Sequence, residues 1–293
     1  MSKPGLPENG KKRTQFHFGR RLLAGLIITF LLLPILTIAQ GNLMIMPRRV
    51  VFEGSKKYEE LNLANIGRDT SRYVISLIHY RMKENGDFEE IEQPDSGQYF
   101  ADKLLRFFPH SVTLGPGESQ LVKIQVTRSN EMAAGEYRSH IYFRAIPDTK
   151  PLGEKETAKD SSSISVSLVP VFGISIPVII HIGESSTKTT LSDLSLDMGQ
   201  DTTPVLKLTF QRTGNMSVYG DISVDYLGAQ GKPVRVGDVR GIAVYTPNII
   251  RRFHLDLNKI RGVNYHSGKL HIVYTTPADS KLATLAEADL ILQ

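Results

Sequence analysis

Ser163 to Gly183 reads SISVSLVPVFGISIPVIIHIG, and the fold class follows from it. Ile164, Val166 and Leu168 alternate with Ser163, Ser165 and Ser167. That period of two gives a strand one apolar face and one small polar face. Pro170 and Gly173 interrupt the pattern, as at a bulge or a sheet edge rather than inside a central strand. Alternation resumes at Ile174 and Ile176, and Pro177 leads into the apolar run Val178 to Ile180. With a polar loop before it and short strands after it, the stretch reads as the last strand of one β-domain running into the next. A bulged edge strand with one apolar face can also accept another chain by strand addition. The alternative is an ordinary closing strand of a sandwich.

Upstream, Asn42–Gly54 reads as a strand kinked at Pro47, Tyr58–Asn65 alternates, and Tyr73–Met82 is strongly apolar up to the hairpin signal Asn85-Gly86. Leu104–Leu114 is extended around Pro109, Gly115-Pro116-Gly117 is a turn, and Gln120–Thr127 and Gly135–Pro147 are further strands. Asp148–Ser162, rich in Lys, Glu, Ser and Thr, reads as a mobile solvated loop. Downstream, Glu184–Thr190 reads as a polar linker. Strands then follow at Val205–Gln211, Tyr219–Tyr226, Val239–Tyr245, Arg251–Leu257, Lys269–Thr275 and Ala283–Leu292, although Leu282–Asp289 has a helix-prone composition. Short strands punctuated by turns, with no strongly amphipathic helix, predict an all-β protein of two sandwiches.

The first 39 residues stand apart. Lys11, Lys12, Arg13, Arg20 and Arg21 precede the apolar segment Leu22–Ile38, and Thr37-Ile38-Ala39 supplies the small residues of a peptidase site. Residues 1–39 therefore read as a signal peptide, with an uncleaved membrane anchor as the alternative. Both place the remainder outside the cytoplasm, in the periplasm on the first reading. They carry six of the 35 Lys and Arg and one of the 30 Asp and Glu, which leaves 29 against 29 in the rest. The basic balance belongs to the export segment and makes no case for a nucleic-acid partner. With no cysteine, the exported part must be held by burial alone, and thiol chemistry is excluded.

Reaction machinery is not evident. The eight histidines show no paired ligand spacing, and no nucleophile elbow or phosphate loop occurs. His254 lies two residues before Asp256, which suits a structural pair. The expectation is a protein that is not an enzyme, with no catalytic residues, no cofactor and no metal.

Three segments, in order, resemble the periplasmic pilus chaperones of the chaperone–usher pathway. Pro47-Arg48-Arg49-Val50-Val51-Phe52-Glu53-Gly54 is similar to that family's first-strand motif and leads to Leu63-Ala64-Asn65. Leu114-Gly115-Pro116-Gly117-Glu118-Ser119-Gln120 resembles its Pro-Gly turn. Gly135–Arg138 through Ala145-Ile146-Pro147 resembles the strand before its variable loop, and Ile164–Pro177 falls where its long last strand belongs. The resemblance implies two immunoglobulin-like β-sandwich domains in an L or boomerang arrangement, here 42–182 and 183–293. It implies a periplasmic chaperone that binds pilus, fimbrial or related surface subunits by donor-strand complementation. Carried over by position, Ile164, Val166 and Leu168 are the donor side chains. Arg49 is the cleft arginine that grips a subunit's carboxylate. An outer-membrane usher is a further candidate partner. The family's carboxylate-gripping lysine is missing, since its place falls at Phe172 or Gly173.

Two other readings stay open at this level. One is an exported structural or adhesion protein with the same fold. The other is a ligand-binding module lined by aromatics, for which Tyr73, Tyr80, Tyr99 and Phe100 are the candidates.

Overall fold

The computed structural model describes residues 43–127, 132–147, 171–198, 203–228 and 231–293. The signal or anchor segment lies outside the described residues, as do the donor candidates Ile164, Val166 and Leu168.

In the first half the strands are β1 (Leu43–Met46), β2 (Val50–Phe52), β3 (Tyr58–Asn65), β4 (Ser71–Ile78), β5 (Tyr80–Met82) and β6 (Phe88–Glu90). They continue with β7 (Leu105–Phe108), β8 (Ser111–Leu114), β9 (Ser119–Val126), β10 (Gly135–Ile146) and β11 (Gly173–Ile182). One sheet runs β1-β3-β9-β7 and the other β2-β11-β10-β4-β8, with β5 and β6 as a separate hairpin. The inward side chains of the two sheets close a core that includes Phe52, Leu61, Leu63, Ile124, Ile141, Phe143, Val178 and Ile180. Two prolines lie where the chain changes sheet. Across Pro47 it passes from β1 to β2, and across Pro109 from β7 to β8. A proline donates no ladder hydrogen bond, so a strand is readily cut there.

In the second half the strands are β12 (Lys188–Met198), β13 (Pro204–Thr213), β14 (Val218–Leu227), β15 (Pro233–Val244), β16 (Ile250–Asp256), β17 (Gly268–Thr275) and β18 (Thr284–Leu292). Sheets β12-β13-β16 and β15-β14-β17-β18 enclose a second core around Leu206, Phe210, Ile222, Val224, Ile272 and Tyr274. The chain is thus all-β, built of two sandwiches with separate cores.

One segment departs from the sequence reading. The expected linker Glu184–Thr190 runs at Lys188 into β12, an 11-residue strand paired along β13. A bulge between Ser192 and Ser195, with Asp193 at φ 52°, breaks the alternation that would have announced it. The expected last strand, Ala283–Leu292, is present despite the helix-prone composition of Leu282–Asp289: from Thr284 it forms β18, antiparallel to β17. Pairing with a neighbour outweighs the weak helical preference of its Ala and Glu.

Candidate functional site

The outward face of β2, β11 and β10 carries the candidate site, and the ladder register arranges it in rows. β11 runs antiparallel to β10, with His181 opposite Glu136, Ile179 opposite Arg138 and Pro177 opposite His140. β2 joins the other side in parallel, with Val51 beside Ile179. Partners in register point to one face, so Val50, Phe52, Val178 and Ile180 fill the core while alternate residues face out. Continuing the β2 register places Glu53 in the row of His181 and Arg49 in the row of Pro177 and His140.

The second sandwich covers much of this face. Val51 and Ile179 pack with Met82, Tyr219, Ala243 and Tyr245 in an apolar cluster between the two cores. Beside it Glu136 is 2% exposed, yet its carboxylate is well supplied with donors. Arg138 Nη1 lies 2.8 Å from Oε1, the Ser217 amide donates to Oε2 at 2.8 Å, and the Ser217 hydroxyl donates to Oε1 at 2.5 Å. Arg138 Nη2 donates onward to the Thr246 carbonyl at 3.0 Å, so the pair stitches β10 to the second sandwich. Burial alone would raise the Glu136 pKa; His181, Arg138 and Ser217 outweigh it and bring it down to about 2.

His181 sits between two carboxylates, with Nδ1 2.7 Å from Glu53 Oε1 and Nε2 3.5 Å from Glu136 Oε2. The second distance is at the outer limit of a hydrogen bond, and the buried Nε2 has no hydrogen-bond partner among the described residues, so this contact is an ion pair when the imidazole is protonated. Burial opposes charge on the imidazole, but Glu136 and Glu53 raise its pKa above the ordinary 6.5. His140 behaves oppositely. Burial, with Arg138, His79 and Arg49 nearby, lowers its pKa to about 3, and it stays neutral with Tyr80 and Phe88 edge-on against it.

Arg49 makes no ion pair with a carboxylate among the described residues. Its Nη1 donates to the Tyr245 hydroxyl at 3.0 Å, and its guanidinium carbon lies 4.3 Å from the Tyr219 ring centroid and 5.6 Å from that of Tyr245. Half-buried over two rings, a guanidinium keeps most of its five donors for a ligand. Next to it the edge of the sheet opens. β2 pairs only with Val178–Ile180, so Gly173–Pro177 has β10 on one side and no strand on the other among the described residues.

Gly173 lies four residues from Pro177, a rise of about 13 Å along the strand. A side chain at 173 would therefore start two rows away from Arg49. Its Cβ would also collide with the Tyr142 ring, which lies across Gly173. In Arg49's own row the neighbours are Pro177 and the neutral His140.

The aromatics proposed to line a pocket do not converge. Tyr73 is 6% exposed in the first core, Tyr99 pairs with Tyr137, Phe100 stacks on His79, and Tyr80 packs with Phe88 and His140. His254 and Asp256 lie on β16, opposite Lys207 and Val205 of β13. Sequence reasoning missed Glu136, Arg138, His181, Tyr219 and Tyr245. A partial signal was present: Glu136, Arg138 and His140 alternate with Tyr137, Ser139 and Ile141, so one strand carries two charges and an imidazole on a single face.

No family model and no curated protein matches this chain. Solved structures similar to it include the YadV chaperone, with a TM-score of 0.43, 13% identity, and 86% of this chain and 100% of that chain covered. The CupB2 chaperone of Pseudomonas aeruginosa matches with a TM-score of 0.41 and 10% identity over 85% of this chain and 100% of that chain. The CsuC–CsuE complex of a chaperone with a tip adhesion subunit, from Acinetobacter baumannii, gives a TM-score of 0.42 and 13% identity over 84% and 99%.

Proposed function

We propose that the chain is an exported, non-enzymatic chaperone that holds pilus or related surface subunits by strand addition at β11. Residues 1–39 direct export to the periplasm, residues 42–182 form the subunit-binding domain, and residues 183–293 form its companion. The observation that carries this reading is Arg49: a half-buried cation with no carboxylate among the described residues, beside the open edge Gly173–Pro177. An incoming strand would take its ladder bonds from that edge. Its terminal carboxylate would meet the guanidinium fork, whose geometry suits two parallel hydrogen bonds. Ile164, Val166 and Leu168, upstream on the same stretch, would place apolar side chains into the client's open core. A client missing a strand exposes apolar surface and a free edge, and covering both suppresses its aggregation. No nucleotide is needed, because completion of the client's fold by its next partner drives release.

The test is a pull-down from a periplasmic extract of the producing cell with the wild type and an Ile164→Asp/Val166→Asp/Leu168→Asp variant. The wild type should retain an unstable client in a one-to-one complex, and the variant should lose it with an unchanged melting curve. A folded variant that keeps every partner would sink donor-strand binding at this face.

A further inference from the structure

The cation proposed above to bind the client belongs to the first sandwich, but its surroundings belong to the second. Arg49 follows Pro47 and Arg48 just before β2, and both rings that hold its guanidinium, Tyr219 on β14 and Tyr245 just past β15, come from the second sandwich. Tyr245 is 5% exposed and is fixed from two directions. Its ring packs with Val51, Ile179, Met82 and Ala243, and Arg138 lies 4.1 Å from its centroid. Arg138 is itself fixed by Glu136 at 2.8 Å and by the Thr246 carbonyl at 3.0 Å. A continuous set of contacts thus runs from the buried Glu136–Arg138 pair through the Tyr245 ring and hydroxyl to Arg49 Nη1.

We propose that Tyr245, assisted by Tyr219, is the positioning residue that sets the pose of Arg49 for an incoming carboxylate, so that the grip is a composite of both sandwiches. The proposal rests on the carboxylate reading of Arg49 and adds what that reading lacks, a reason for one cation to suffice. A free arginine side chain samples many rotamers, and each must be given up on binding. An arginine already held by a hydroxyl and two ring faces has lost that freedom beforehand, so more of its hydrogen-bond energy is retained in the complex. The ring faces also leave the outer guanidinium edge to the ligand, whereas a neighbouring carboxylate would have occupied it.

The probe is an acetylated nonapeptide of alternating valine and serine ending in phenylalanine, prepared as free acid and as C-terminal amide. Its binding to the purified chain is measured by fluorescence anisotropy with a label on the second residue. The readout is the acid-to-amide affinity ratio, which a general loss of fold or of strand pairing would not change selectively. For the wild type the ratio should be on the order of 10, the size of one charge-assisted hydrogen-bonded contact. Arg49→Gln should bring it to about 1. Tyr245→Phe keeps the ring and removes the hydroxyl; it should lower the ratio about threefold with the amide's affinity unchanged. Tyr219→Leu, which removes a ring face, should lower it in the same direction.

The outcomes separate the two claims. A wild type that binds acid and amide equally overturns the carboxylate reading and the positioning proposal with it. A wild type that discriminates, together with an Arg49→Gln variant that does not and Tyr245→Phe and Tyr219→Leu variants that still do, overturns the positioning proposal alone.

Discussion

The two halves of β11 differ in what lies beside them more than in what they are made of. Val178–Ile180 lies between β2 and β10, and these three residues are each 0% exposed. Gly173–Pro177 continues the same strand, yet among the described residues only β10 flanks it, and Ile174, Ser175 and Pro177 are partly exposed. One half is closed on both sides, and the other has a partner strand on one side among the described residues. The difference comes from β2, which is three residues long and begins only at Val50, after the chain has crossed between sheets at Pro47–Arg49. An edge left by so short a strand has ladder groups with no partner strand among the described residues, beside the cation that precedes β2.

The largest expected effect lies in the closed half. Ile180→Asp buries a carboxyl with no partner in the first core and should cost more than about 4 kcal/mol, enough to prevent folding. Circular dichroism of the purified variant checks this, and a native melt would show that the half is not closed. Next comes the buried pair on the same face. Glu136→Gln leaves Arg138 without its counter-charge and should cost about 3–5 kcal/mol in urea unfolding. Loss near 1 kcal/mol would mean that water reaches the pair.

The acid–base behaviour of the closed rows gives a smaller and signed effect. The raised pKa of His181 means that its contribution is complete below pH 6.5 and disappears as pH rises through the folded-state value. The lowered pKa of Glu136 means that its contribution is complete above pH 4.5 and disappears as pH falls toward about 2. The melting temperature should therefore be highest between these limits and decline on both sides. His181→Gln should flatten the alkaline decline and leave a decline in acid; an unchanged alkaline limb would remove His181 from this account.

The smallest effect belongs to the open half. Ser175→Asp, on the outward face beside the free edge, should change stability by less than about 0.5 kcal/mol. The same change should weaken peptide binding at that edge, read by the anisotropy measurement above. Equal stability losses for Ser175→Asp and Ile180→Asp would erase the distinction between the halves.

Much of the strand layout was legible in the residues. Tyr58–Asn65 alternates and forms β3 over those residues, and Gly135–Pro147 corresponds to β10. β12 was not legible, because its bulge at Ser192–Ser195 displaces the period. β15 starts at Pro233 rather than Val239, and register shifts opposite Gly220 and Val224 disturb its pattern as well. At the site, Arg49 could be singled out from its motif, whereas Tyr245 is 196 positions away from it and carries no local mark.

The amino-acid order alone was sufficient for the all-β class and for most strands. Alternation, turn residues and apolar runs are local properties, readable within ten or twenty residues. The pairing of β2 with only half of β11, the burial of Glu136 and Arg138 beneath a second sandwich, and the tyrosines around Arg49 were settled by the tertiary structure. Each joins segments far apart in the chain, and such contacts are chosen by the packing of two whole cores rather than by any short pattern.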